Sequence, residues 1–163
     1  MRPASLAFLE NLVNCPSPSG YEEHAAEIFR QYTAFADDHH TDSHGNTWAV
    51  LNPKAKMKIM LAGHMDEIGF IVHYIDETGM LYFSTIGGQD STIIVGQRVW
   101  VHGKERTAGV IGRKAIHLLE EEERKKKPEV KDLWIDIGAS SREEAEALIR
   151  IGDVATYQWE FQT

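Results

Sequence analysis

The sequence predicts an α/β protein in two parts, because the spacing of its apolar residues changes near residue 68. Before that point, helical patterns alternate with short strand patterns, which is typical of a layered sheet with helices on its faces. From Gly69 onward, short strand patterns separated by turn signals dominate, which indicates a small β-rich barrel or half-sandwich. A chain of 163 residues is long enough to bury a core in one domain or in two small ones.

Two helices are predicted at the start of the chain. The first begins near Pro3, since proline is favoured in a first helical turn, and one of its faces is apolar (Leu6, Leu9, Leu12 and Val13). A proline-containing turn follows at residues 14–20. Residues 19–22 then form a candidate capping box for a second helix, whose apolar positions are Ala25, Ile28, Phe29 and Tyr32.

Strand patterns complete the first part. A strand pair is expected around a turn at residues 44–46, and its second strand covers residues 47–51. Residues 58–62 are an apolar run that Gly63 ends, and they are predicted to form a short buried strand.

The second part contains four predicted strands, at residues 70–74, 80–84, 98–102 and 107–111. A helix is expected over residues 114–127, where acidic residues precede basic ones by four positions. The charged run is interpreted as a solvated helix face rather than a docking patch. Ser141 is predicted to cap another helix that runs to about Arg150, and a last strand is expected at residues 154–161.

Composition narrows the class of protein. Apolar residues make up 42% of the chain and charged residues 26%, as in globular proteins. The net charge of −8 argues against a nucleic-acid partner, because phosphate binding needs clustered lysine and arginine. No apolar run approaches the ~20 residues that cross a bilayer, and the N-terminus lacks a signal-peptide core. Cys15 is the only cysteine, which excludes an internal disulfide and favours a cytoplasmic location.

His64 and Asp66 are the candidate site residues. They follow the predicted strand at residues 58–62, and side chains two positions apart on extended backbone point to the same face. A metal-binding imidazole needs an acceptor on its other nitrogen, and a nearby carboxylate commonly provides it. The spacing alone leaves a second interpretation open, which is a polar loop with an ordinary surface histidine.

Residues 62–72, Ala-Gly-His-Met-Asp-Glu-Ile-Gly-Phe-Ile-Val, resemble the first metal-ligand motif of the tetrahedral aminopeptidases. These are deblocking or glutamyl-type metallopeptidases with two metal ions. Further blocks that look like this family lie along nearly the whole chain, at residues 16–22, 42–46, 87–88, 96–99, 109–114, 117–118, 133–139, 141–145 and 151–153. Several blocks in order make the resemblance specific.

The resemblance implies a domain organisation. In that family a catalytic α/β domain is interrupted by a smaller β-rich, PDZ-like domain, which carries the contacts of dimers and of a hollow dodecamer. On this chain, residues 1–68 would be the first part of the catalytic domain and residues 69–155 the inserted domain. Residues 156–163 would return as a strand toward the catalytic domain. We therefore expect homo-oligomers that form through the β-rich domain.

The resemblance also implies chemistry. His64 would be a ligand to one of two divalent ions, zinc or cobalt, and Asp66 would orient its imidazole. The family reaction removes N-terminal residues from short peptides. In the family the other ligands and a glutamate general base follow the inserted domain, whereas this sequence stops at Thr163. We expect a truncated N-terminal portion that is inactive by itself, and we do not assign Glu67 as the base.

Other ligand-type residues have competing interpretations. Asp37, Asp38, His39 and His40, and then Asp42 and His44, invite a metal-site interpretation, but a polar loop is favoured. His117 matches a histidine of the family, and a structural hydrogen bond is favoured over ligation.

Two alternatives to a peptidase remain. The chain can be a non-catalytic assembly module derived from the family. A glycoside hydrolase ranks lower, because it needs two opposed carboxylates and no such pair is identifiable. Since a sheet cut after its first strands exposes apolar edges, we expect the chain to self-associate or to rearrange around residues 1–68.

Overall fold

The structure, a computed structural model, describes residues 1–162, apart from the side chain of Glu123. These residues form two compact units. One contains Met1–Glu67 and the residues from Trp159 onward, and the other contains Ile68–Gln158. Residue 163, the end of the predicted return strand, lies outside the described residues.

The first unit begins with two helices, α1 (Pro3–Val13) and α2 (Glu23–Tyr32). Both predicted helices are confirmed, and α1 starts at the proline that indicated it. Across the helix pair, the Phe8 ring stacks on Tyr32 with centroids 3.8 Å apart, and the Ser5 hydroxyl lies 3.1 Å from the Tyr32 hydroxyl. The predicted capping box is wrong, because the N-cap of α2 is Glu22, which makes no side-chain cap hydrogen bond, and the Ser19 hydroxyl bonds elsewhere.

A β-hairpin follows, with β1 (Asp38–Thr41) antiparallel to β2 (Thr47–Val50), as the sequence predicts. The Asp42 carboxylate closes its turn by accepting hydrogen bonds from the backbone N–H groups of His44 and Asn46 at 2.9 and 3.0 Å. Gly45 takes a φ of +86°, which a side chain would disfavour.

The predicted strand at residues 58–62 is wrong, because this segment is irregular and exposed. Ile59, Met60 and Leu61 are 76%, 86% and 93% exposed. A buried strand needs neighbours that pair its backbone and cover its side chains. Within the described part of this unit, the β1–β2 hairpin is the only sheet. The layered sheet of a catalytic domain therefore stays a prediction.

The second unit is a closed six-stranded antiparallel barrel. In chain order its elements are β3 (Gly69–Ile75), β4 (Leu81–Ile86), α3 (Ser91–Ile94), β5 (Arg98–His102), β6 (Arg106–Arg113), α4 (Glu121–Arg124), β7 (Leu133–Asp136), α5 (Arg142–Leu148) and β8 (Val154–Tyr157). Short 3₁₀ turns lie at Ile116–Leu118 and Val130–Asp132. The strand order is β3-β4-β7-β6-β5-β8, and pairing of β8 with β3 closes the barrel.

Alternation along the strands fills the barrel with apolar side chains. Val99 and Val101 of β5 are fully buried, as are Leu133 and Ile135 of β7. Phe70 meets Phe83 edge-to-face with centroids 5.0 Å apart. The strands of this unit pair with one another around a closed barrel, and its core consists of its own residues. The predicted barrel is therefore confirmed.

Two predictions in this unit are corrected, and one strand was missed. The helix over 114–127 reduces to a 3₁₀ turn and the single turn of α4, because residues 120–127 contain no apolar side chain to bury and short isolated helices are marginal. The Lys125–Glu121 ion pair at 3.0 Å adds only a few tenths of a kcal/mol. Strand β7 was not predicted at all. The last strand ends at Tyr157 rather than at residue 161.

No helix among the described residues is long and apolar enough to span a membrane.

The barrel core should dominate the stability of the second unit. Ile135→Ala is expected to lower the free energy of unfolding by about 2–5 kcal/mol, since Ile135 is fully buried. The matched control is Ile93→Ala, which should change it by less than about 0.5 kcal/mol, because Ile93 is 65% exposed. Urea unfolding followed by circular dichroism measures both, and equal losses would contradict the described core.

His102 should make the barrel acid-sensitive. Burial and the charge of Arg106 lower the pKa of His102 from 6.5 to about 4, while its Nε2 lies 2.8 Å from the Thr156 hydroxyl. Between these values the unfolded chain binds a proton that the folded chain excludes, so stability falls as pH drops from about 6.5 towards about 4. After allowance for partial exposure, we expect a loss of about 1–2 kcal/mol. Urea unfolding at pH 7 and at pH 4.5 measures how much the free energy of unfolding falls between them. This fall should be about 1–2 kcal/mol smaller in His102→Gln than in the wild type.

Candidate metal-ligand site

The site is built on the irregular segment that ends the first unit. His64 Nδ1 lies 2.9 Å from Asp66 Oδ1 and 3.1 Å from the Asp66 backbone oxygen. Both partners accept hydrogen bonds, so in the neutral imidazole the contact favours the tautomer with the proton on Nδ1 and the lone pair on Nε2. The His64 side chain is 86% exposed and that of Asp66 37% exposed. The structure thus brings the two predicted residues together in the arrangement that prepares an imidazole for a metal ion.

Ser19 is the third side chain of this site, and the sequence pattern did not assign it there. Its hydroxyl donates to Asp66 Oδ2 at 2.5 Å, so the two carboxylate oxygens have different partners. The Ser19 hydrogen bond, followed by those of His64, lowers the pKa of Asp66 below its ordinary value. The carboxylate is therefore ionised near neutral pH and is a strong acceptor for the imidazole N–H.

The turn that carries Ser19 is joined to the His64 segment by its backbone. Pro18 and Glu67 form a parallel bridge, in which the Glu67 N–H donates to the Ser17 carbonyl at 2.9 Å. The Ser17 N–H donates to Glu67 Oε1 at 2.9 Å, and the Ser17 hydroxyl donates to the Met65 carbonyl at 3.0 Å. Ser17 is only 4% exposed. These bonds place residues 65–67 against a turn that lies between α1 and α2.

Glu67 serves this junction. Burial raises the pKa of its carboxyl, and the Ser17 N–H partly offsets that shift. Burial and then the charge of Glu67 raise the pKa of the nearby Cys15 thiol, which therefore stays protonated near neutral pH. The Glu67 side chain is thus held to the turn by the Ser17 N–H.

In the aspartate- and histidine-rich hairpin, the ligand-type side chains bond to one another and to neighbouring backbone. His40 Nε2 pairs with Asp38 Oδ2 at 2.8 Å, and the His39 ring contacts the Thr33 hydroxyl and carbonyl at 3.1 and 3.0 Å. Asp42 is occupied by the hairpin turn. His117 is exposed on the 3₁₀ turn. Among the side chains that the structure describes, no three of His, Cys, Asp or Glu converge in a way that could hold a metal ion.

A divalent ion needs more protein ligands than His64 and Asp66 supply. Catalytic zinc takes three protein ligands, commonly histidine nitrogen and carboxylate oxygen. His64 fits one such position, because its Nδ1 is oriented by a carboxylate and its Nε2 is the free donor. Asp66 fits the role of the orienting group. The described residues thus offer one imidazole suited to a metal ion and one carboxylate that orients it, fewer than the three protein ligands of catalytic zinc.

Comparison with known proteins gives a consistent family. A family model described as M42 glutamyl aminopeptidase matches residues 45–163. A protein from Acetivibrio thermocellus named "Putative aminopeptidase" is 43% identical, over 92% of this chain and 43% of its own length. This chain spans less than half of the length of the curated relatives reported.

Solved structures agree with the family model. The TET aminopeptidase from the archaeon Thaumarchaeota archaeon SCGC AB-539-E09 superposes with a TM-score of 0.93 at 36% identity, over 98% of this chain and 45% of that one. The dodecameric PhTET1 structure gives a TM-score of 0.84 at 32% identity, over 100% of this chain and 48% of that one.

The family model describes an aminopeptidase and therefore does not support the glycoside-hydrolase alternative. M42 is a family of metallopeptidases. With a family match over residues 45–163 and superposition over nearly the whole chain, this protein belongs to the M42 glutamyl aminopeptidase family.

Proposed function

We propose that this chain takes part in the metal-dependent removal of N-terminal residues from peptides, with His64 as a ligand to one metal ion. The observation that carries the proposal is the 2.9 Å contact between His64 Nδ1 and Asp66 Oδ1, in a chain that belongs to a metallopeptidase family. The contact fixes the imidazole tautomer that offers Nε2 to a metal.

The two roles follow from the geometry. His64 would bind the ion through Nε2, and Asp66 would hold the proton at Nδ1 and make the imidazole a better donor. When bound in such a site, a pair of zinc or cobalt ions would supply an activated water and would polarise the peptide carbonyl. We propose that the remaining ligands and the general base come from outside the described residues, since His64 alone is short of three protein ligands.

The domain assignment stays part of the proposal. Residues 1–68 would belong to the catalytic domain, residues 69–155 to a PDZ-like insertion, and residues 156–163 to the return towards the catalytic domain. The compact unit Ile68–Gln158, which closes its barrel within itself, supports an insertion of this kind. A cytoplasmic location is likewise proposed, on the basis of the single cysteine.

A second candidate function is assembly through the barrel. The barrel buries its core without help from the first unit, so it can present a fixed surface whether or not metal is bound. A structural relative is a dodecamer, which supports a homo-oligomer here as well. In this alternative the chain is an oligomerisation module that has the family's architecture without its chemistry.

Metal binding and hydrolysis test the proposed function. Purified chain freed of metal by a chelator should bind Co²⁺ through His64, and His64→Ala should weaken that binding about tenfold or more, as measured by competition with a chromogenic chelator. His117→Ala, an exposed control on the 3₁₀ turn, should leave binding unchanged. Equal binding by wild-type protein and His64→Ala would overturn the assignment.

Hydrolysis of aminoacyl p-nitroanilides by the same samples should stay at the level without enzyme, with zinc or cobalt present, because the described ligand set is incomplete. Turnover that requires metal and disappears in His64→Ala would strengthen the peptidase assignment and refute the partial site.

Sedimentation tests the assembly role. At micromolar concentration the chain should sediment as a species larger than its 18.4 kDa monomer. Leu61→Asp places a charge on the exposed apolar run of the first unit, and association through the barrel should survive it. A clean wild-type monomer would contradict assembly, and a monomer only in Leu61→Asp would assign the contact to residues 57–61 instead.

A further inference from the structure

Three side chains form a continuous hydrogen-bonded row at the edge of the first unit. The Ser19 hydroxyl donates to Asp66 Oδ2 at 2.5 Å, and Asp66 Oδ1 lies 2.9 Å from His64 Nδ1. The row joins residues that are 47 positions apart in sequence, so the fold and not local spacing creates it. Its last member is the proposed metal ligand.

Asp66 needs this support because its own segment does not provide it. No helix or strand covers residues 52–65, and the Asp66 side chain is 37% exposed. A free carboxylate rotates about its side-chain torsions and loses conformational entropy when it is held. With Oδ2 bound to Ser19, the orientations left to the carboxylate are those that keep Oδ1 beside the imidazole.

Ser19 is itself fixed from both sides. On one side, the buried Ser17 is bonded to Met65 and Glu67 through its hydroxyl and its backbone. On the other, Gly20 takes a φ of +94° and its N–H donates to Glu22 Oε1 at 2.8 Å, directly before α2. The serine therefore sits on a turn anchored at both ends, and its hydroxyl is delivered to Asp66 at a defined position.

The alternative role for Ser19 is to cap α2, as the sequence pattern suggested. The structure does not use it so, because α2 starts without a side-chain cap hydrogen bond and the hydroxyl points its proton at Asp66. The hydroxyl is thus committed to the His64 site and not to helix stability.

We propose that Ser19 is a positioning residue for the His64 imidazole, which acts through Asp66 to keep the proton on Nδ1 and the lone pair on Nε2. The metal-binding consequence of this role rests on the proposed function, whereas the tautomer does not.

Nuclear magnetic resonance of the metal-free chain tests the role directly. In protein labelled with ¹³C and ¹⁵N on histidine, two-bond nitrogen–proton correlations recorded at alkaline pH report the tautomer of the neutral imidazole. His64 should be mainly Nδ1–H in the wild type. Ser19→Ala should lower the Nδ1–H fraction about twofold or more, while Ser19→Thr, which keeps a hydroxyl, should restore it.

Control variants separate this role from general damage. Ser43→Ala removes an exposed serine hydroxyl in the hairpin turn and should leave the His64 tautomer unchanged. If Ser19→Ala fails to fold, Ser19→Cys keeps the size with a weaker donor and should show the same shift. An unchanged tautomer in Ser19→Ala or Ser19→Cys would overturn the proposal, as would an equal shift in Ser43→Ala.

Cobalt affinity then distinguishes the two proposals. If His64 is a ligand, Ser19→Ala should weaken Co²⁺ binding about threefold to tenfold, less than His64→Ala does, since the loss acts through a second residue. A tautomer shift without any His64-dependent metal binding would support the positioning role and refute the metal-ligand assignment. His64-dependent binding with an unchanged tautomer would do the reverse.

Discussion

The junction between the turn at residues 16–20 and the segment Met65–Glu67 is the constraint on which the candidate site depends. Four hydrogen bonds cross it, and two of them involve the backbone of the nearly buried Ser17. Buried polar groups must be paired, so Ser17 can occupy its position only if residues 65–67 lie against it. The stacked Phe8–Tyr32 pair holds the two helices that flank this turn. The position of the His64 imidazole therefore depends on the packing of these two helices.

Local patterns predicted the elements whose partners are nearby in sequence. The first helix, the β1–β2 hairpin and the four early barrel strands all follow from short-range spacing and turn chemistry. Residues 58–62 have the composition of a strand but no neighbour among the described residues, so composition misled there. The long helix predicted over the charged run near Glu121 is wrong for a different reason. Favourable charge spacing alone does not stabilise a helix that buries no apolar face.

The site divides in the same way. His64 and Asp66 are two residues apart, and a rule about alternating side chains was enough to predict their contact. Ser19 reaches Asp66 across 47 positions, and a single sequence contains no signal for that pairing beyond the serine itself. The sequence instead suggested the nearest use of a serine before a helix, which is a cap. Tertiary structure redirected the hydroxyl to a partner with a full negative charge, which is the stronger acceptor.

The exposed apolar run at residues 57–61 lies directly before the candidate site, so whatever covers the run also affects His64. Burying one side chain such as Ile59 or Leu61 stabilises a protein by about 1.5–3 kcal/mol. Since several such side chains of this run are exposed, covering the whole run would contribute several times that amount. Any partner surface that covers it will bind a segment ending only three residues before His64. The backbone on one side of the histidine is already fixed by the Ser17 junction, and the other side is irregular. Covering the run would fix the second side, and the imidazole would then have a defined direction as well as a defined tautomer. The barrel closes its core within Ile68–Gln158 and needs no such cover, so the need for a partner surface is confined to the first unit.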